Sequence, residues 1–199
     1  MEKADIKLIG LAGNSCSGKT TLATELKRQL GNNAARLSFD DYYIPRSQRK
    51  DPSIPEESPQ IYDMNSFVRD LKLLKNGQTI SSPANSRESG LNGIKSIKIQ
   101  PKKIVLVDGY LIFHDPRARK LFDSKIFVEI PEGEIVRRRK LRRDPVNPMR
   151  HDTDEYIEKL VIPNNQKYIQ PQKKFADAIL DGTEPTAKLV EKVRSLIQE

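Results

Sequence analysis

The chain has 199 residues, of which 31% are charged and 36% hydrophobic, and its formal net charge at pH 7 is +8. This length predicts a single domain over 1–199, and no apolar run approaches the ~18 residues that a membrane-spanning helix needs. One cysteine excludes an internal disulfide and suits a cytoplasmic location. The positive charge suggests either a polyphosphate site or a nucleic-acid surface, and we favour the first because much of the excess lies in one segment.

The first recognisable unit is a strand, a loop and a helix. The segment 13–20 reads GNSCSGKT and matches the phosphate-binding P-loop pattern G-x-x-x-x-G-K-[ST] at every fixed position. An apolar run of strand length over 6–12 precedes it, and leucines at helical spacing over 21–30 follow it. An anion-binding loop of this kind needs a strand before it and a helix N-terminus after it, so the context supports the motif.

This loop predicts a nucleotide site. Its two fixed glycines permit backbone conformations in which successive N–H groups point at an anion. Lys19 would reach the terminal phosphates, and the Thr20 hydroxyl would ligate Mg²⁺. We therefore expect ATP as phosphoryl donor, accompanied by Mg²⁺. The residues predicted to bind ATP are Gly13, Asn14, Ser15, Cys16, Ser17, Gly18, Lys19, Thr20 and Thr21.

A second predicted strand, 35–39, delivers Asp40 and Asp41 to the sheet edge where ligands bind in open α/β folds. Adjacent side chains that leave a strand point to opposite faces, so one of the two carboxylates should face the phosphates. Turn formation or helix capping would explain the same pair of residues. Tyr42 and Tyr43 follow, and they either line a substrate pocket or pack in the core.

The rest of the chain alternates strands with helices, which predicts a doubly wound α/β fold of the P-loop NTPase type with a mostly parallel, five-stranded sheet. A proline-rich loop is expected over 44–60 and a small β flap over about 78–100. The clearest buried strand, 103–108, ends on Asp108, and an acid there commonly holds Mg²⁺ beside a P-loop. Further strands are expected over 125–130 and 176–180, and helices over 116–122, 132–143, 152–170 (where Pro163 should start, kink or break the helix) and 185–198.

The segment 137–143 reads RRRKLRR and holds much of the excess positive charge. On a helix, Arg139 shares a face with Arg142 and Arg143, which are three and four residues away. Prolines that follow cannot continue the helix, so we expect an arginine-bearing lid over about 137–155 that stabilises charge on a transferring phosphoryl group. A solvated basic face and a nucleic-acid patch are the alternatives.

In order along nearly the whole chain, these motifs resemble the uridine kinase and phosphoribulokinase family of P-loop kinases, which includes the nicotinamide riboside kinases. The resemblance rests on the P-loop, on the arginine segment, and on DDYY at 40–43, QIYD at 60–63, VDGYL at 107–111 and FADAILDG at 175–182. It implies a phosphotransferase that moves the γ-phosphoryl group of ATP to a hydroxyl of a small molecule, with the 5′-hydroxyl of a nucleoside as the favoured acceptor.

The resemblance also implies roles for individual residues. Asp40 would be the general base for the acceptor hydroxyl, and Mg²⁺ would lie near Thr20, Asp40 and Asp108, although relatives often carry glutamate at the position of Asp108. Asp63 would hold ribose hydroxyls. The predicted catalytic residues are Asp40, Lys19, Arg139 and Arg142, and the predicted substrate-binding residues are Asp40, Tyr42, Asp63, Arg87 and Arg143.

The flap departs from the family pattern. Uridine–cytidine kinases carry Tyr-Asp-Phe and His-Ser-Arg pieces there, whereas this chain reads SPANSR over 82–87 and echoes only the second piece. A pyrimidine acceptor therefore does not follow from the resemblance, and nicotinamide riboside, pantothenate or a sugar phosphate are alternative acceptors. A P-loop NTPase switch and a nucleic-acid-binding protein are alternatives of a different class, although the sequence has no Asn-Lys-x-Asp guanine signature.

Overall fold

In the computed structural model of the protein, which describes residues 5–85, 95–142 and 152–198, seven strands form two sheets. The strands are β1 (Lys7–Gly13), β2 (Ala34–Ser38), β3 (Ile80–Pro83), β4 (Ser96–Ile99), β5 (Ile104–Asp108), β6 (Ser124–Glu129) and β7 (Ala178–Asp181). The larger sheet has the spatial order β2-β5-β1-β6-β7, and every neighbouring pair in it is parallel. This sheet confirms the predicted α/β class with five parallel strands.

Helices cover both faces of the larger sheet. They are α1 (Lys19–Leu30), α2 (Met64–Lys75), α3 (Pro116–Arg119), α4 (Glu132–Leu141), a helical run over 154–175 that we call α5, and α6 (Thr186–Gln198). On one face, α1 and α6 bury apolar side chains such as Leu26 and Val193 against the strands. On the other face, α2 does so with Phe67 at the centre of an aromatic cluster. Both faces are therefore dry, as a continuous apolar strand such as β5 requires.

The central strand β1 places the phosphate loop at one edge of the sheet. Six of its seven residues are buried. Its register pairs Leu11 with Asp108 of β5 on one side and Gly13 with Val128 of β6 on the other, while Ser38 of β2 also pairs with Asp108. The carboxyl ends of β1, β2 and β5 thus meet at one edge, which is where open α/β sheets bind ligands.

The helical run α5 continues through a proline. It consists of the α-helical turns Asp154–Tyr156 and Ile162–Asn164, the π-helical turns Ile157–Val161 and Asn165–Ile169, and the 3-10 turn Gln170–Phe175. Pro163 lacks an N–H group, and its ring crowds the carbonyl four residues earlier in a regular α-helix. Wider π turns on both sides relieve this crowding. The helix therefore neither starts nor ends at Pro163, and the effect of the proline is a change of turn type.

Two predicted segments fall partly outside the described residues. The base of the flap is the antiparallel pair β3–β4, with Ile80 opposite Ile99, whereas 86–94, including Arg87, lies outside. In the predicted lid, α4 ends at Leu141, and 143–151, including Arg143, lies outside. No helix in the described part of the chain is long and apolar enough to cross a membrane.

Candidate active site

The phosphate loop connects β1 to α1 in a conformation suited to anion binding. Gly13 and Gly18 have φ angles of 144° and 90°, and Cys16 has a φ of 60° in spite of its side chain. Among the other predicted loop contacts, Ser17 is buried, Ser15 is half-buried, and Thr20 and Thr21 are exposed at the start of α1. The loop thus combines left-handed backbone with a helix N-terminus, which is the geometry of a phosphate cradle.

Lys19, the first residue of α1, is buried beneath this loop. Its Nζ donates to the Asn14 carbonyl oxygen at 2.5 Å, and the Ser17 Oγ lies 3.4 Å away. Burial lowers the pKa of Lys19 to about 8, while the charges of Asp40 and Asp108 act in the opposite direction. Lys19 is thus held in place by loop atoms, and the two nearby carboxylates favour its protonated form. A protonated lysine in this position can bind a polyanionic ligand.

The side chain of Asn14 anchors the loop from behind. Asn14 is fully buried, its Nδ2 donates to Asn165 Oδ1 on α5 at 2.8 Å, and its Oδ1 accepts from the Ile130 N–H at 3.0 Å. Both polar ends of the amide are therefore satisfied by protein. Any contact of Asn14 with ATP would therefore come from its main chain, as the predicted ring of loop N–H groups implies.

Arg138 of α4 fastens the other side of the loop. Its Nη1 donates to the carbonyl oxygens of Cys16 at 3.1 Å and Gly182 at 3.2 Å, and its Nε donates to Glu134 at 2.5 Å. The Gly182 turn is close-packed here, since a Cβ at that position would lie 2.6 Å from the Ser17 carbonyl oxygen. Arg138 therefore joins the phosphate loop to the turn that follows β7.

Asp40 lies in a 3-10 turn, Phe39–Tyr42, directly after β2. Asp40 is exposed, although protein partly surrounds its carboxylate. This partial desolvation and the charge of Asp108 raise the pKa of Asp40 to about 6, against the opposing charges of Lys19 and Arg142. The neighbouring Asp41 is buried. Of the two adjacent acids, Asp40 is therefore the one on the side of the phosphate loop.

Tyr42 belongs to the core. It is 1% exposed, and its hydroxyl donates to Asp70 Oδ2 on α2 at 2.8 Å. Its ring packs edge-on against Phe67, with the ring centroids 5.2 Å apart. Of the two roles open to Tyr42, these contacts favour packing in the core over contact with a substrate.

Asp108, at the end of β5, links the phosphate loop to β2. Its Oδ2 accepts from the Thr20 hydroxyl at 3.0 Å. Arg36 of β2 grips the same carboxylate with two hydrogen bonds, from Nε to Oδ1 at 2.7 Å and from Nη2 to Oδ2 at 3.1 Å. Asp108 is 2% exposed, so the bidentate arginine balances a charge that would otherwise be buried without a counterion. The structure thus brings Thr20 and Asp108 together and adds Arg36 to them.

The described arginines of α4 are already paired with acids. Arg139 is buried and contacts Glu57 of the proline-rich loop as well as Asp152, the latter at 3.1 Å. Arg137 and Arg138 both pair with Glu134. This helix is therefore not a free cationic face, which weighs against the nucleic-acid alternative.

Two further predicted residues lie in different surroundings. Arg142 is exposed just beyond the end of α4, and its charge acts on both Lys19 and Asp40. Asp63 is exposed and caps α2, because its Oδ1 accepts from the Ser66 N–H at 3.0 Å. Arg142 thus lies near the predicted phosphate site. Asp63 contacts the first turn of α2 as its N-terminal cap.

Three tyrosines, Tyr43, Tyr62 and Tyr110, pack together near Asp40. The hydroxyls of Tyr62 and Tyr110 are 2.6 Å apart, and Tyr43 packs edge-on against Tyr62 with the ring centroids 6.0 Å apart. Burial raises the pKa of both Tyr62 and Tyr110 well above the ordinary value, and the negative charge of Asp40 raises that of each further. Both hydroxyls therefore stay protonated near Asp40, and because one of them donates to the other, one proton of the pair remains for an acceptor molecule.

Comparison with known proteins agrees with this arrangement. The sequence profile described as "Phosphoribulokinase / Uridine kinase family" matches residues 8–188. The chain belongs to this family. Proteins named uridine kinase from Chlamydia pneumoniae and Halalkalibacterium halodurans are 31% and 30% identical to it over 181 and 205 aligned residues. Those alignments cover 88% and 96% of this chain and 81% and 95% of the relatives.

A solved structure shares the fold. It is described as a possible uridine kinase from Bacillus stearothermophilus, and it superposes with a TM-score of 0.64 at 18% identity, covering 91% of each chain. The resemblance stated from the motifs is thereby confirmed at the level of the family. The chain is a kinase of this family with a P-loop, and the identity of its acceptor is a separate question.

Three residues of this kinase's site were not found from the sequence. Arg36 is an arginine inside a predicted strand, Glu57 lies in a polar loop, and Asn165 lies on a helix in which nothing sets it apart. Each acts through a partner more than 70 residues away along the chain. The only local signal was the charge of Arg36 in a strand that is otherwise mostly apolar.

Replacing Arg36 by Met should lower the free energy of unfolding of this kinase by about 3 kcal/mol, because buried Asp108 would lose its counterion. The double variant Arg36→Met, Asp108→Asn should recover part of that loss, because no unpaired charge remains. Urea unfolding followed by circular dichroism measures both values. Strictly additive effects in the double variant would show that the ion pair does not contribute.

The two shifted pKa values predict a bell-shaped pH dependence of kcat/KM. Asp40 must be unprotonated to accept a proton, so activity should rise as the pH rises through about 6. Lys19 must be protonated to hold phosphates, so activity should fall as the pH rises through about 8. Initial rates of ADP release at subsaturating acceptor, measured from about pH 5 to about pH 9, test this profile. An activity that stays constant through the acid range contradicts the role given to Asp40.

Proposed function

We propose that this protein is an ATP-dependent kinase that phosphorylates a hydroxyl of a small molecule, with the 5′-hydroxyl of a nucleoside as the favoured acceptor. The observation that carries the proposal is the convergence of Lys19, the Asp40 carboxylate and the Thr20–Asp108 pair at one edge of the sheet. Family membership supports phosphoryl transfer, and the names of the relatives support a uridine-like acceptor. The single cysteine suits activity in the cytoplasm.

The chain's own groups divide the work of phosphoryl transfer. The loop N–H groups and the N-terminus of α1 bind the phosphates of ATP. Lys19 exchanges its contact with the Asn14 carbonyl oxygen for the terminal phosphates, where it neutralises charge. Asp40 accepts the proton of the acceptor hydroxyl as the hydroxyl oxygen attacks the γ-phosphorus, and the bond from that phosphorus to the β-phosphate oxygen breaks to release ADP. Arg142 adds positive charge from the end of α4.

The residues present also fit a magnesium ion. Thr20 Oγ1 and the Asp108 carboxylate are adjacent hard oxygen donors, and the Asp40 carboxylate lies close enough to be influenced by the charge of Asp108. Mg²⁺ prefers oxygen ligands and keeps several waters, so one hydroxyl and one or two carboxylates beside ATP phosphates suffice to hold it. When bound, the ion neutralises charge on the transferring phosphates.

A panel of acceptors tests the proposal. ADP release with Mg-ATP should depend on an added alcohol, and the panel holds uridine, cytidine, nicotinamide riboside, pantothenate and ribulose 5-phosphate. Uridine or cytidine turnover supports the favoured acceptor, and turnover with another member keeps the reaction but reassigns the acceptor. Lys19→Met should be inactive with every acceptor, which excludes a contaminating kinase. ATP binding without any acceptor-dependent ADP release would count against small-molecule phosphorylation.

A further inference from the structure

Glu57 lies in the loop between β2 and α2, and its carboxylate is held against α4. It pairs with Arg139 of α4, and the side chains of the two residues are only 15% and 6% exposed. Its backbone φ is 66°, in the left-handed region that residues other than glycine rarely adopt. Such conformations persist only where the surrounding structure enforces them, and they cluster at functional sites. The fold thus holds this carboxylate in a defined place.

The charge of Glu57 acts on the candidate base Asp40 and on three tyrosines, which we take as the acceptor side of the site. It contributes to the raised pKa values of Asp40, Tyr62, Tyr110 and Tyr156. These groups come from four different segments, and charge effects decline with distance. Glu57 therefore lies near all of them, including the candidate base Asp40.

Among the residues that the structure describes, negative charge outweighs positive charge in this cluster. Arg139 is shared between Glu57 and Asp152, so one cation faces two carboxylates, and Asp40 adds a third. The two cations that act on Asp40 are Lys19, under the phosphate loop, and Arg142, which also acts on Lys19. ATP phosphates would engage both of these cations. Once the nucleotide is bound, the described part of the acceptor side therefore keeps two carboxylates, Glu57 and Asp152, against the one guanidinium of Arg139.

One polar atom in this cluster lacks a partner. Arg139 Nε is buried and has no hydrogen-bond acceptor among the described residues. Buried donors are normally satisfied, so this one can take an oxygen atom from a ligand. Because two carboxylates already neutralise the guanidinium, an uncharged hydroxyl or carbonyl oxygen suits this donor better than a further anion.

We infer that Glu57 determines acceptor specificity, so that the site takes uncharged or cationic hydroxyl compounds and rejects acceptors that carry a phosphate or carboxylate group. This inference rests on the proposed function and narrows it, because it favours nucleosides over sugar phosphates and over pantothenate. A fixed anion near the reacting hydroxyl repels a second anion, and such repulsion discriminates against wrong ligands.

The test compares matched acceptors in Glu57→Gln, which removes the charge and keeps the shape. Uridine with uridine 3′-monophosphate, and D-ribulose with ribulose 5-phosphate, differ within each pair by one phosphate group. In the wild type, kcat/KM should favour the uncharged member, and Glu57→Gln should raise the ratio of anionic to uncharged acceptor about tenfold. Calorimetric binding of the same pairs, in the presence of Mg²⁺ and a non-hydrolysable ATP analogue, provides a readout without turnover.

Two control variants separate charge from shape and position. Glu57→Asp keeps the charge and should leave the ratio unchanged. Glu56→Gln removes the same charge from the neighbouring residue, whose partner is Arg49, and should change the ratio much less. An unchanged ratio in Glu57→Gln, or an equal change in either control, overturns the inference. If no acceptor is turned over by the wild type, the proposed function fails, and the binding ratios still decide the role of Glu57.

Discussion

Asp40→Asn should lower kcat by about 10³-fold and leave the affinity for ATP within severalfold of the wild-type value. An amide of the same shape cannot take the proton of the acceptor hydroxyl, so the attacking oxygen must lose it to water. Asparagine removes a negative charge that helps to keep Lys19 protonated, but the same charge would repel the ATP phosphates, so the affinity for ATP should change little. The loss should therefore fall on turnover and not on nucleotide binding.

Two measurements separate the effect of Asp40→Asn on turnover from its effect on nucleotide binding. Single-turnover rates with saturating acceptor give the chemical step, and calorimetry with a non-hydrolysable ATP analogue gives nucleotide affinity. The rise in activity through about pH 6 should also disappear in Asp40→Asn, because the group whose pKa is raised to about 6 is gone.

Asp41→Asn is the matched control for this variant. Asp41 is buried next to Asp40 and off the phosphate side, so its replacement should affect stability more than the turnover of the folded protein. A wild-type rate in Asp40→Asn together with a large loss in Asp41→Asn would reassign the base. Wild-type rates in both variants would mean that transfer proceeds by positioning and charge neutralisation alone.

The parts of the site that could be predicted are those that local sequence encodes. The P-loop motif, the apolar β5 ending in Asp108, and the acids after β2 are each defined by residues close together in the chain. Parallel strands bring their carboxyl ends to one edge, so the joining of Thr20 with Asp108 followed from the fold class and was found at 3.0 Å. Here, local pattern and topology together were sufficient.

The parts that could not be predicted depend on which side chain meets which across the fold. Tyr42 and Tyr43 are adjacent and chemically equal, yet Tyr42 is buried against Asp70 whereas Tyr43 is half-buried beside Arg49. Asn14 occupies a motif position where any residue is allowed. Its anchoring role depends on two distant partners, the Asn165 side chain and the Ile130 N–H. Periodicity shows which face of an element is buried, but it does not identify the partner in a polar contact.

Gly13→Ala should unfold the protein at ordinary temperatures or lower its free energy of unfolding by at least about 4 kcal/mol. The motif assigns Gly13 to the phosphate cradle, but the structure gives it a second constraint. A Cβ at Gly13 would lie 2.0 Å from the Val128 carbonyl oxygen of β6, and the φ of Gly13 is 144°. Backbone does not yield as a flexible side chain would, so β1 and β6 would have to separate near the centre of the sheet.

Two other glycines separate this close approach from backbone conformation. At Gly18, φ is 90° but no atom lies within 4 Å of the added Cβ, so Gly18→Ala should cost only about 1–2 kcal/mol of backbone strain. At Gly133 in α4 the space is also open and no left-handed φ is required, so Gly133→Ala should stabilise the protein by about 0.5 kcal/mol. Thermal unfolding should rank the melting temperatures as Gly133→Ala above wild type, then Gly18→Ala, with Gly13→Ala lowest by about 10 °C or more. Equal losses of melting temperature in Gly13→Ala and Gly18→Ala would contradict this prediction. They would mean that glycine is needed at position 13 for its backbone conformation and not for the close packing of β1 against β6.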